Sequence, residues 1–392
     1  MRVLAVCLLG LPLWAQPLKI TDEKFQNRHA YVLSNGVVRA SILKGGGHIA
    51  ELRFVTGPEA RQVNPFRIPH YPTIEPYEYD AAKHDAIYGD TPHKFLHSGY
   101  MGHLLCFPFY GPVSSDNEAR NGLGNHGEAP VVEWRMVRQF SSPEAVSIDV
   151  EAELRRTNFR VGRTITLARG AAGLQVDEWV ENLLPVDRPV NWMQHATFGP
   201  PFAEPGQTFL DMDATRGDAA KLGEHSWPRM KTPAGEVDAR AMVTEPKSGR
   251  YTAWLLNPRN QEHWFTMYNA KFPVLIGYTF PAADNAWVGD WQENQRNTAL
   301  PWSGKAIARG IEFGSTPYAE GLRKSIDRGT LLGAATFRWI GGYQRVHTSF
   351  TVWLTGLPPD FKGTANVLRT TKGFSLTESG TSRNLTIPLF VQ

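Results

Sequence analysis

Three groups of residues in the 392-residue chain have types and spacings that could do chemistry. The first is HKFLHSGYMGH. Its His93, His97 and His103 repeat the four-then-six spacing of the zinc-protease motif H-E-x-x-H-x-x-G-x-x-H. On a helix, His93 and His97 would share one face and could hold a metal. The motif's general base is Lys94 here, and Tyr100 stands at its turn glycine, so a metal-activated water would lack its carboxylate. Loop histidines beside a cleft are the plainer expectation. The second group is NGLGNHGEAP, where Gly122, Gly124 and Gly127 fit G-x-G-x-x-G. A dinucleotide cradle needs a strand before it and a helix after it, with the helix N-terminus facing the pyrophosphate. Here the polar stretch SSDNEAR precedes, and Pro130 and a β-rich run follow. The pattern therefore predicts no nucleotide. It presents one histidine, His126, in a glycine-rich turn. The third group is dispersed: His195, next to a Gly-Pro-Pro turn, and Glu312, at the end of the apolar run ARGIEF. A histidine and a carboxylate can serve as acid and base if the fold unites them, but sequence spacing alone does not make these a site.

The elements that would position them are strands. Period-two alternation recurs in VVEWRMVRQF, AVSIDVEAEL, FRVGRTITLA, LQVDEWVENLL, HWFTMYN, FPVLIGYTF and SFTVWLTGL. HAYVLSNGVVRASIL holds two β-rich runs around Ser34-Asn35-Gly36, a hairpin signal. Helical periodicity is scarce, and TPYAEGLRKSID, residues 316–327, is the best short helix. With 28 prolines and 36 glycines to break the strands, the expected class is all-β: a large antiparallel β-sandwich with few short helices. Segments 57–130 and 203–250 read as long excursions, and excursions of that length usually carry function.

The bulk properties exclude some classes. A formal charge of +3 without any Lys/Arg block gives no nucleic-acid surface. The N-terminus, MRVLAVCLLGLPLWAQ, has a short basic start, an apolar stretch from Val3 to Trp14 and a plausible cleavage point at Ala15-Gln16. Residues 1–15 are therefore expected to be a signal peptide, and 16–392 one β-sandwich domain exported to the periplasm or beyond. The stretch is too short to span a bilayer, so no membrane span is expected. Cys7 would leave with the signal, and Cys106 alone could form no internal disulfide.

Four segments in order resemble the galactose mutarotase-like superfamily, which includes the aldose 1-epimerases: LSNGVVRASILKGGGHIAELRF, CFPFYGP followed by LGNHGEAP, VDEWVENLLPVDRPVNWMQHATFGPPF, and GIEFGSTPY. The resemblance implies a large β-sandwich that binds a small sugar or glycan and interconverts its anomers without metal or nucleotide. It implies Glu312 as the base on the anomeric hydroxyl, His195 as the acid on the ring oxygen, and His126 as a polarising contact. Aromatic rings are expected to wall the pocket, because sugar C–H faces pack on them; Trp192, Phe198, Trp287, Trp291 and Tyr110 are the candidates. Asp290, Glu293, Asn294 or Arg296, between the second histidine and the glutamate, could supply other polar contacts. Where the family has a sugar-binding arginine, this chain has Pro112, so that guanidinium clamp is lost. Two other functions fit the same fold. One is carbohydrate binding without catalysis. The other is polysaccharide cleavage, either by a hydrolytic carboxylate pair of Glu312 with Asp290 or Glu293, or by a lyase using the histidines with Tyr110 or Tyr318.

Overall fold

The structure, a computed structural model, describes residues 17–219 and 222–389. The signal-peptide segment and Cys7 lie outside the described residues. The hairpin around Asn35 forms as its sequence predicts. Strands Arg28–Ser34 and Val38–Leu43 pair antiparallel. The Asn35 side-chain oxygen accepts from the Val37 and Val38 amides, and Gly36 takes the positive φ of 79° that the turn requires.

Among the described residues, an 11-stranded sheet packs on an 8-stranded sheet, the antiparallel sandwich that the alternation implies. The centre of the larger sheet runs, in spatial order, His103–Cys106, Met193–Phe198, Ile307–Gly314, Trp287–Asn294 and Ser248–Leu256. Every residue of Met193–Phe198 is buried, which hides its alternation. Ala196 and Phe198 belong to the main core between the sheets, with Ile311 and Phe313 of the neighbouring strand. Phe313 stacks on Phe280 of the second sheet, centroids 4.1 Å apart. Met193, His195 and Thr197 face the other way. They lie beneath a layer built from the long excursion.

That excursion is less irregular than its sequence suggests. It contains helices Ala81–Tyr88, Lys94–His97 and Asp116–Arg120, and the strand His103–Cys106 enters the sheet beside Met193–Phe198. Arg67 ties the layer together. Its guanidinium lies 4.8 Å from the Tyr100 ring and 4.6 Å from the Trp302 ring, and Nη1 donates to the Tyr100 carbonyl at 2.8 Å. Segment 203–250 also contains strands, including Thr208–Met212, Ala214–Asp218 and the hairpin Arg229–Thr232 with Gly235–Asp238. Of the expected helix at 316–327, only the second half forms, as Leu322–Arg328. Gly321, at φ 84°, marks its start.

Behind His195 the two sheets share a buried charge network. Arg163 and Glu178 of the smaller sheet pair at 2.6 Å with no exposure. Gln194 donates to Glu178 at 2.6 Å and accepts from Arg163 at 3.0 Å. Trp192 Nε1 also donates to Glu178, and His103 Nε2 lies 3.0 Å from the Gln194 oxygen. A desolvated pair is tolerated only when its remaining donors and acceptors are matched, as they are here. Among the described residues, no helix is long and apolar enough to cross a membrane.

Candidate active site

His195 and Glu312 are direct cross-strand partners on adjacent strands. The pairing puts both side chains on the same face, and His195 Nε2 lies 2.8 Å from Glu312 Oε1. Glycines make room for them. A Cβ at Gly310 would lie 2.8 Å from Glu312 Oε1 and 3.1 Å from His195 Cε1; one at Gly289 would lie 3.0 Å from Glu312 Oε2 and 2.2 Å from the Tyr251 hydroxyl. If the pair acts as the acid and base that the resemblance implies, Gly310→Ala is expected to keep the fold but lower the rate by roughly 10- to 100-fold, through displacement of the pair. Wild-type rates in this variant, with an unchanged circular dichroism spectrum, would count against that packing.

His126 reaches the site from its loop by a reciprocal clasp with Gly111. The His126 amide donates to the Gly111 carbonyl at 2.8 Å, and the Gly111 amide donates to His126 Nδ1 at 3.1 Å. Nδ1 is thereby an acceptor, so the neutral ring carries its proton on Nε2. The ring centroid lies 5.1 Å from that of His195 and 5.1 Å from that of Tyr110, on which it stacks. His126 itself holds φ 65°, a left-handed backbone in a non-glycine residue of the kind often stored at functional sites. The glycine pattern around it serves the turn. A Cβ at Gly127 would meet the Phe107 carbonyl at 2.2 Å, and only a short 3-10 turn, Ala129–Val131, follows.

Burial dominates the electrostatics. It pushes the Glu312 carboxyl well above the usual carboxylate range. It pushes His195 down, with smaller contributions from His103 and Arg67, and pushes His126 down with the help of His195. Among the described residues, Glu312 Oε2 is buried without a hydrogen-bond partner, an acceptor free for a hydroxyl. On its far side His195 is anchored by Thr197 Oγ1, 2.9 Å from Nδ1, and Thr197 in turn by the Tyr100 hydroxyl at 2.6 Å.

The three residues implied as catalytic thus converge on one cleft of about 650 Å³, whose lining also includes Tyr110 and Trp291. Other expectations are corrected. Asp290 and Asn294 fall on the opposite face of their strand from Trp291. Asp290 is fully buried in a two-pronged pair with Arg309, both bonds 2.9 Å. Asn294 donates to the Thr244 and Glu245 carbonyls, anchoring the second excursion. Phe198 is core, stacked on Phe66, and Trp192 is buried against Glu178. Trp287 packs with Leu255 and Tyr318, and its indole donates to the Ala335 carbonyl. Glu293 accepts from the Arg296 and Asn297 amides and holds a turn, so neither it nor Asp290 forms a carboxylate pair with Glu312. The metal triad is split: His93 and His97 line the cleft, while His103 points through the sheet to Tyr278 and Gln194. Among the described residues, no cluster of three or more such ligands forms. Sequence reasoning missed Tyr251, Tyr100, Thr197 and Trp302. Thr197, two residues after His195 on one strand, was accessible by the period of two; the rest depend on tertiary packing.

Solved structures share this architecture. A candidate aldose 1-epimerase from Klebsiella pneumoniae matches with TM-score 0.61 at 12% identity, over 87% of this chain and 85% of that one. A galactose mutarotase-like protein from Clostridium acetobutylicum matches with TM-score 0.59 at 13% identity, over 87% and 99%. A galactose mutarotase related enzyme from Lactobacillus acidophilus gives 0.51 at 13%, over 83% and 97%. The fold is that of the galactose mutarotase-like proteins. Comparison with curated sequences gives no match. The model of a family described as a domain of unknown function, DUF4432, matches residues 84–289, more than half of the chain, and the chain belongs to that family. The matched span includes His126 and His195 and ends before Glu312.

Proposed function

We propose that this protein is an aldose 1-epimerase-like enzyme that exchanges sugar anomers by acid–base ring opening. The observation that carries the reading is the buried, unpartnered Glu312 Oε2 with His195 on the other carboxylate oxygen. Glu312 takes the proton of the anomeric hydroxyl as the C1 carbonyl forms. The bond from C1 to the ring oxygen breaks, its electron pair goes to that oxygen, and His195 Nε2 supplies the proton. The pair starts as carboxylate and imidazolium and ends as carboxylic acid and imidazole. Rotation about the C1–C2 bond and the reverse transfers close the ring as the other anomer. Both stages are states of one pair sharing one proton, and burial that raises the acid and lowers the histidine brings those states close in energy. His126 Nε2–H donates to the same oxygens.

Export belongs to this reading and rests on the apolar N-terminal sequence. Binding without catalysis is the second reading, favoured by Pro112 in place of the family's arginine. Proton NMR of anomer exchange on freshly dissolved neutral aldoses separates the two. Acceleration well above buffer supports the enzyme; exchange at the buffer rate on every sugar, with binding retained, supports the second reading.

A further inference from the structure

The cleft is larger than its reactive end. About 650 Å³ falls inside the range of about 300–1,000 Å³ that takes ligands well beyond one pyranose ring. From Glu312 it continues outward between residues 89–91 and 297–302, which meet at the mouth: a Cβ at Gly89 would lie 3.6 Å from the Leu300 carbonyl. A track of rings leads along this path. Trp291 lies 6.2 Å from His195, Trp302 5.9 Å from Trp291, His97 5.4 Å from Trp302 and His93 5.7 Å from His97, centroid to centroid. The outer rings have no part in the proton transfers. Trp302 is 3% exposed with Arg67 over its ring, so the accessible apolar faces along this path, of the kind on which sugar C–H groups pack, are those of His97 and His93. His97 also carries an unused donor. Its Nε2 accepts from the Trp302 indole at 3.1 Å, so its proton sits on Nδ1, which is buried and has no partner among the described residues.

Charge narrows the class further. Among the described residues, no lysine or arginine lines the cleft, and its carboxylates are Asp90 and Glu312. The Arg67 guanidinium is buried against Trp302 and Tyr100 and bonds the Tyr100 carbonyl. A phosphate or carboxylate on the substrate would meet no counter-charge.

We propose that the substrate is an uncharged saccharide of at least two units, with its reducing ring at Glu312 and the next ring on His97 and His93. This rests on the functional reading above for the placement of the reducing end. Two measurements test it on the full chain: saturation-transfer NMR for binding and proton NMR for anomer exchange. The probes are glucose, maltose, cellobiose, glucose 6-phosphate and glucuronate. At least one disaccharide is expected to bind about tenfold or more tighter than glucose, and both anions about tenfold or more weaker. Ala299→Trp, at the exposed mouth, is expected to lower the disaccharide-to-glucose affinity ratio by about tenfold. Glucose binding as well as both disaccharides, an anion binding as well as glucose, or an unchanged ratio in Ala299→Trp would each overturn the proposal. Tight disaccharide binding without exchange of any sugar would overturn the epimerase reading and leave this one standing. No binding of any probe would overturn both.

Discussion

Glu312→Gln is expected to lower anomer exchange by about 10²- to 10⁴-fold, the range of a positioned general base, with the fold intact. The amide keeps the shape of the side chain and can still accept from His195 Nε2, but cannot take the hydroxyl proton. The same variant is expected to be more stable than wild type at alkaline pH. Burial raises the folded-state pKa of Glu312 above its ordinary value of 4.5. The native protein therefore favours the protonated acid, and that preference contributes fully below pH 4.5. As pH climbs above 4.5, the unfolded chain ionises first and stability falls, until the folded carboxyl also titrates. Glutamine carries no such dependence. Melting temperatures should nearly coincide at pH 4 and diverge in favour of Glu312→Gln at pH 8. His195 tilts the acid side oppositely in both proteins: its folded pKa is depressed, so stability falls as pH drops below 6.5. A variant with wild-type exchange would remove Glu312 from the mechanism. One less stable than wild type by the same margin at every pH would mean that the carboxyl is not desolvated.

Glu178→Ala should have the largest effect on stability, about 3–5 kcal/mol, because it leaves the Arg163 charge buried without its partner. Gln194 and the Trp192 indole lose an acceptor in the same step. Chemical denaturation measures the loss directly. Replacing the pair together, as Arg163→Met with Glu178→Leu, should recover much of it, since no unpaired charge then remains. A single-variant loss below about 1 kcal/mol would place the network in contact with solvent. The two predictions probe opposite faces of one strand, because Gln194 precedes His195.

The architecture was legible because strand alternation and hairpin chemistry are local. Asn35-Gly36 specifies its turn with its own side chain and backbone, so residues 28–43 could be read directly. His126, His195 and Glu312 were legible only through resemblance. They are separated by scores of residues: the cross-strand register unites His195 with Glu312, and the clasp with Gly111 brings in His126. Asp290 and Asn294 misled for a related reason. On a sheet covered on both sides, core-facing and cleft-facing residues are equally buried, and a buried aspartate beside Trp291 looks as functional as one in the cleft. The period of two was the available correction, since Asp290 and Trp291 must face opposite ways. The strand at 103–106 was obscured by its shortness, and His103 was grouped with His93 and His97 by a spacing that holds on a helix and fails on a strand.

The central strand also bears on how this protein can change over evolutionary time. On Met193–Phe198, the residues facing the cleft alternate with those that hold the two sheets together. Mutation there cannot explore new substrates without also risking the core. The outer cleft is different: residues 89–91 and 297–302 are segments outside the large sheets, free to vary in length and composition at little structural cost. Divergence among related proteins should therefore rewrite the mouth and preserve the floor. A new specificity is more readily acquired by grafting those two segments than by altering any residue beside His195.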